Sequence, residues 1–257
     1  MYRRAALLST VLVCWSVSAQ VVSPFDDILV TYWLTPQQQA QFSTTDGQVS
    51  PFWTSDWSGR DYFELIPPDD CYPGRCNFVG GETDAKLVVK AAGSPDGLYI
   101  YAAVQDNVWV DWPGGSSYGD DSVDLYLDAM SADEIWNCTD CLVGLYSSKI
   151  TFTTQEFQVF MGGSAVPNEF KYQYYDDALW SWTAVSLTFA NAKAVYGMEV
   201  EVISLDATHK VQEWFLPWDF VGKGLPSVPQ EGDRLALSGG YNDMDGDNST
   251  PDCLRWM

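Results

Sequence analysis

The sequence predicts an all-β protein, an antiparallel β-sandwich with jelly-roll or immunoglobulin-like layers, and three observations carry that prediction. Apolar residues recur with a period of two along most of the chain. In Gly97–Asp106, Leu98, Ile100, Ala102 and Val104 alternate against Tyr99, Tyr101 and Ala103, the spacing that sends one set of side chains to each side of a strand. Turn-forming clusters separate such stretches: Ser94-Pro95-Asp96-Gly97, Pro113-Gly114-Gly115, Met161-Gly162-Gly163 and Glu231-Gly232-Asp233. A sustained helical stripe is missing, although residues 35–42 suit a short helix. Many short strands punctuated by turns are the signature of a sandwich.

In chain order, residues 1–19 read as a cleaved signal peptide. Arg3 and Arg4 precede an apolar run from Ala5 to Trp15, and Val17-Ser18-Ala19 offers small residues for cleavage before Gln20. The expected product is exported: secreted or extracellular, in the periplasm or at the cell surface. A single domain is expected over residues 23–257. Strands are predicted at residues 97–106 and 120–128, then at 149–153, 181–189, 196–203, 211–216 and 234–241.

The charge narrows the range of partners. With 35 acidic against 13 basic residues the net charge is −22, and loss of Arg3 and Arg4 would make it more negative. Such a surface repels nucleic acid and anionic lipid, which both need a positive patch. It suits neutral ligands and cations, or simply solubility outside the cell. No nucleic-acid or membrane partner is expected, and the protein is expected to be a monomer. Beyond the signal segment the cysteines are Cys71, Cys76, Cys138, Cys141 and Cys253. In an oxidising compartment the spacing favours local disulfides, Cys71 with Cys76 and Cys138 with Cys141; a four-thiolate zinc site from the same pairs is the alternative. With His209 the single histidine, imidazole-based zinc chemistry is almost excluded.

The densest chemistry lies in Asp120 to Asp128 (DDSVDLYLD). As a strand it sends Val123, Leu125 and Leu127 to a core face and Ser122, Asp124, Tyr126 and Asp128 to the other. Carboxylates beside an aromatic ring suit a ligand with an apolar face and hydroxyl donors around it, as a sugar ring has. The loop before it adds Trp109, Trp112 and Tyr118. Each ring covering about 50 Å² of sugar C–H surface would contribute on the order of 1 kcal/mol. Two rings with a few charge-assisted hydrogen bonds correspond to roughly millimolar to micromolar affinity.

Asp-Ser-Val-Asp-Leu-Tyr-Leu-Asp resembles the central strand motif of the family 9 carbohydrate-binding modules. Four further landmarks resemble that family in the expected order: Asp46-Gly47-Gln48-Val49 with Trp53; Asp96-Gly97-Leu98-Tyr99-Ile100-Tyr101 running to Asp106; Glu213-Trp214-Phe215-Leu216-Pro217-Trp218; and Arg234 to Asp245 (RLALSGGYNDMD). The resemblance implies a β-sandwich that binds polysaccharide or oligosaccharide ends, β-glucan or xylan, without cleaving them, often with structural calcium. It implies that Tyr118 is one of two rings gripping the sugar and that Asp124 accepts hydroxyl protons. Trp109, Trp112 and Tyr126 are the neighbouring candidates. The family's second ring comes from a segment after the Asn-Asp loop. Trp256 is the candidate for it, the alternative being a domain truncated at the C-terminus.

A calcium ligand set is expected in Asp243, Asp245, Asp247 and Ser249, where oxygen donors fall at alternate residues. This is not an EF-hand loop, since glycine stands at the fourth place and Leu254 where the bidentate Glu belongs. A solvated acidic turn is the plain alternative. Asp46 and Asp106 are candidates for a second cation site. Two other functions remain open at this point. Glycoside hydrolysis would need a carboxylate pair, with Asp124 and Glu213 the best candidates, and a surface adhesion or display domain would bind protein instead of sugar. A haem site would require His209 with Met198 or Met244.

Overall fold

Alternation builds the first sheet. β3 (Ala85–Gly93) and β4 (Gly97–Asp106) pair antiparallel through a turn closed by Ser94, whose hydroxyl accepts hydrogen bonds from the Asp96 and Gly97 amides at 3.1 and 3.2 Å. β12 (His209–Pro217) adds to β4, and β11 (Glu199–Ser204) adds to β12. On the other side, β2 (Phe63–Leu65) joins β3 antiparallel while β1 (Tyr32–Trp33) joins it parallel. This sheet is therefore mixed, where the sequence predicts antiparallel pairing only. The computed structural model describes residues 32–43, 46–55, 62–67, 83–110, 121–128, 142–143, 149–150, 154–160, 170–176, 181–185, 189–221, 228–232, 236–243 and 252–256. The predicted signal peptide lies outside them.

The second sheet runs β10 (Ser181–Val185), β9 (Phe170–Asp176), β8 (Thr154–Phe160), β5 (Ser122–Asp128), β13 (Ala236–Asp243) and β14 (Asp252–Trp256), antiparallel throughout. A two-stranded ribbon, β6 (Leu142–Val143) with β7 (Lys149–Ile150), completes the described strands. Between the two large sheets, Leu87, Val89, Ile100, Ala102, Trp214 and Leu216 meet Val123, Leu125, Leu127 and Tyr241. None of these is more than 3% exposed. Each large aliphatic side chain so buried stabilises the fold by about 1.5–3 kcal/mol, and the predicted core face of the motif strand lies in this layer.

The outer face of the first sheet is covered as well. Residues 32–55 cross it with two short helices, α1 (Pro36–Gln39) and α2 (Pro51–Ser55). Thr35 opens α1 with a reciprocal capping box to Gln38, as expected for the short helix predicted here. Leu34, Phe52 and Trp53 bury against Ala92 and Tyr99, with Phe42, Tyr101 and Phe215 at the margin. This second, aromatic layer explains why the odd positions of β4 are as apolar as the even ones.

One predicted strand overruns the observed one. β10 ends at Val185, short of the predicted 189, and α3 (Phe189–Tyr196) follows it. Ala190, Ala192 and Ala194 favour helix intrinsically. Gly197 terminates it at φ 70° with its amide donating to the Lys193 carbonyl at 3.0 Å, a left-handed cap that suits glycine. A last short helix, α4 (Trp218–Val221), follows β12.

Candidate functional site

Strand parity gathers carboxylates at one end of the sandwich. Asp106 closes β4, Asp243 closes β13, and Asp121 immediately precedes β5, each in phase with the core residues of its strand. All three are buried, at 0 to 2% exposure, and one carboxylate oxygen from each lies within 4.8 Å of the others. Asp84, also 2% exposed, stands nearby and bonds Asn107. Asp106 accepts hydrogen bonds from the Val108 amide at 2.7 Å and from the Tyr241 hydroxyl, and Asp121 accepts one from the Val110 amide.

Burial pushes the Asp106 carboxyl up to about 6, further raised by Asp84 and opposed by its hydrogen bonds and by Lys210. The same surroundings hold the Tyr241 hydroxyl protonated, well above its ordinary range. The Lys210 ammonium, whose charge acts on Asp106, also sits 4.3 Å from the centroid of the Trp109 ring. Several buried carboxylates facing one lysine repel each other strongly. A hard dication fits this donor set, because it takes oxygen ligands and neutralises them together.

Of the predicted calcium ligands, only Asp243 is among the described residues. Asp243 belongs to a cation-competent group, but as the end of a strand facing inward, with Asp106 and Asp121 as its companions. Asp245, Asp247 and Ser249 lie outside the described residues. Asp46 and Asp106 do not share a site. Asp46 is exposed beside Glu201 on the outer face of the first sheet, whereas Asp106 is in the interior.

The outer face of the second sheet carries the motif strand's polar side. Register places Arg255, Gly240, Asp124, Gln158 and Lys171 side by side across five strands. The adjacent row is Ser238, Tyr126, Glu156, Gln173 and Ala184, and beyond it Tyr175 faces Trp182. Asp124 is on the predicted face but only 1% exposed, and its Oδ2 accepts a hydrogen bond from Asn242 Nδ2 at 2.7 Å. Asn242 also donates to the Ser122 hydroxyl at 3.1 Å. Asp124, predicted as an acceptor for sugar hydroxyls, is thus a buried group that accepts from Asn242.

The remaining predicted residues divide. Trp109 is half-buried, packs on the main core and donates its indole N–H to the Ala207 carbonyl at 2.8 Å. Trp256 stands opposite Gly239, in phase with Leu254 and Tyr241. Its register position is on the core-facing side, one parity step from the proposed platform. Tyr126 holds a position on the outer face. Tyr118, Trp112 and the four cysteines Cys71, Cys76, Cys138 and Cys141 lie outside the described residues, while Cys253 pairs in register with Asn242. Missed by sequence reasoning were Asp121 as a member of the buried carboxylate group and β8, β9 and β14 as strands of the motif strand's sheet.

The hydrolase alternative loses its geometry. Asp124 and Glu213 project from the outer faces of different sheets, in layers packed about 10 Å apart, so they cannot flank one glycosidic bond. For a haem, Met198 is in the core at one end of β11 and His209 is at the opposite end of the β11–β12 pair, bonded to Asp206 at 2.9 Å, so these two cannot grip one haem; Met244 lies outside the described residues.

No family model matches the chain, and no curated protein matches it. Among solved structures, the chain is similar to a family 9 carbohydrate-binding module from Caldicellulosiruptor kristjanssonii in complex with glucose, at 14% identity over 88% of this chain and 83% of that one, with a TM-score of 0.46. It is similar also to such a module from the same organism in complex with cellotriose, at 14% identity over 88% and 81% of the two chains, again with a TM-score of 0.46.

Proposed function

We propose that this protein is an exported, non-catalytic saccharide-binding module, recognising β-glucan or xylan ends on the outer face of its second sheet and stabilised by calcium at the buried carboxylate end. The observation that carries the reading is the register of β14, β13, β5, β8 and β9. It assigns Arg255, Lys171, Gln158, Gln173, Glu156, Tyr126, Tyr175 and Trp182 to register positions of one face. A pyranose presents C–H bonds on its faces and hydroxyls around its edge, and such a mixture can satisfy both. On that same face Asp124, Asn242 and Ser122 are buried and hydrogen-bonded to one another, so a ligand would contact the rows beside them.

Asp106, Asp121 and Asp243 would hold the calcium, whose charge would offset the mutual repulsion of these carboxylates. They belong to both sheets, so their neutralisation joins the two layers at that end. Binding to insoluble cellulose and xylan tests the recognition claim. The wild-type protein is expected to sediment with at least one of them, and Trp182→Ala and Gln173→Ala to stay in solution. Wild-type protein that sediments with neither polysaccharide would reject the proposal.

A further inference from the structure

We propose that the outer face of the first sheet carries a second saccharide site, so that one molecule can hold two sugar ends on opposite sides of the sandwich. The inference rests on the saccharide reading above and extends it to a different surface. A cleft of about 530 Å³ opens between α1, the β3–β4 turn and the start of β11. This is within the range of roughly 300–1,000 Å³ that accommodates small ligands.

The floor is a cross-strand row, Glu199 opposite Phe215 and Phe215 opposite Tyr99. The Tyr99 ring lies 4.8 Å from Phe215, and Phe42 leans on its other side at 4.5 Å. Two carboxylates stand at the rim. Asp96 accepts a hydrogen bond from Gln39 Nε2 at 2.6 Å, and Glu199 lies 3.5 Å from the Lys193 ammonium. At the mouth, Gly197 leaves open the space a side chain would occupy; a Cβ there would meet only Pro217, at 3.8 Å.

The neighbouring row on the same face shows that this opening is not a general feature of the sheet. Two residues further along, Glu201, Glu213, Tyr101 and Lys90 stand side by side, and there the segment over the sheet closes tightly. Ser50 donates to both Glu213 oxygens, at 2.7 and 2.6 Å, and Lys90 donates to the Trp53 carbonyl at 2.9 Å. In the first row Glu199 and Phe215 are half-buried and line the cleft, with the buried Tyr99 ring beside Phe215.

The rim chemistry selects a neutral, hydroxylated ligand. Carboxylates accept from hydroxyls, while the Gln39 amide and the Lys193 ammonium donate to hydroxyl or ring oxygens. Both carboxylates are now held by long side chains at the surface, which hydroxyl donors can replace at little cost. A bare cation would use the acceptors and be repelled by Lys193, leaving the donors idle. An end unit of a saccharide uses both, with its C–H face against Phe215.

Backbone-amide NMR of the full chain during titration with cellobiose and xylobiose tests the site. Shifts are expected at Gly197, Glu199 and Phe215 in addition to those on the second sheet. The paired substitution Glu199→Gln with Asp96→Asn, at exposed or half-exposed positions, should weaken the cleft shifts about ten-fold, the loss expected when charged hydrogen bonds become neutral ones. It should leave the second-sheet shifts in place. Shifts confined to the second sheet overturn the second site and leave the proposed function standing. Shifts confined to the cleft support the second site and overturn the face assigned above. No shifts at millimolar sugar overturn both, and cleft shifts unchanged in the paired variant overturn the rim assignment.

Discussion

At the level of single residues, the buried carboxylates make the sharpest predictions, because each carries a charge with few ways to be solvated. Calcium at Asp106, Asp121 and Asp243 predicts a melting temperature that rises on adding the ion and falls with chelator; at a concentration a hundred times Kd the linkage is about 2.7 kcal/mol. Asp243→Asn reverses the ranking. It should be more stable than wild type in chelator, where a repelling charge has been removed, and less stable in millimolar calcium. Thermal melts in both conditions check this, and a wild-type melt indifferent to calcium would refute the metal assignment.

Glu213 predicts a pH dependence of its own. Burial lifts its carboxyl to about 7 from an ordinary value of 4.5, partly offset by its two hydrogen bonds from Ser50. Between those values the folded protein holds a proton that the unfolded chain has released. This group therefore favours folding most below pH 4.5, and its contribution is lost as pH rises to about 7, on the order of 2–3 kcal/mol in all. Glu213→Gln should exceed wild type in denaturant stability at pH 8 and lose that advantage near pH 4.5. Equal stability curves across that range would contradict the account.

The motif strand shows how much of the site was legible in the sequence at this scale. Alternation fixed the face of Asp124, but not what lies against it, since burial depends on Asn242 over a hundred positions away. Asp121 was passed over because a strand-flanking aspartate looks like any solvated turn until β4 and β13 bring Asp106 and Asp243 to it.

At the level of elements, pairing between β4 and β12 depends on the absence of a side chain at Gly97. A Cβ there would come within 2.5 Å of the Leu216 carbonyl oxygen and 2.7 Å of the Phe215 ring. The backbone contact cannot rotate away. Gly97→Ala should therefore cost about 1–3 kcal/mol, as overpacking does, measured by denaturant unfolding; a cost below about 0.5 kcal/mol would contradict the strand contact. Strands with aliphatic alternation, such as β4 and β12, could be read directly. In β9 the inward positions fall to Phe170, Tyr172 and Tyr174, with Tyr175 outward, so tyrosine marks both faces and the period blurs. The parallel addition of β1 to β3 has no local signal at all. Two residues, Tyr32 and Trp33, are too few for a period, and their direction follows from the crossing of residues 34–55 over the sheet.

For the whole molecule, the two sheets divide the work. Their shared interior stabilises the sandwich, their common end gathers the carboxylates, and their outer faces point in opposite directions. A net charge of −22 disfavours the approach of polyanions and leaves neutral molecules unaffected. The fold class was readable because alternation and turns recur along the full length. The face proposed for binding was readable only in part, since the rows that compose it come from five strands and no single segment displays them.

Calorimetric titration of a β-glucan or xylan oligomer into the calcium-loaded protein and its Trp182→Ala variant tests the central claim most directly. The account predicts a wild-type Kd in the micromolar to millimolar range, weakened about five- to ten-fold in the variant by loss of roughly 1 kcal/mol of ring contact, with an unchanged melting temperature. No heat of binding from either class of oligomer, or an identical Kd in the two proteins, would contradict it.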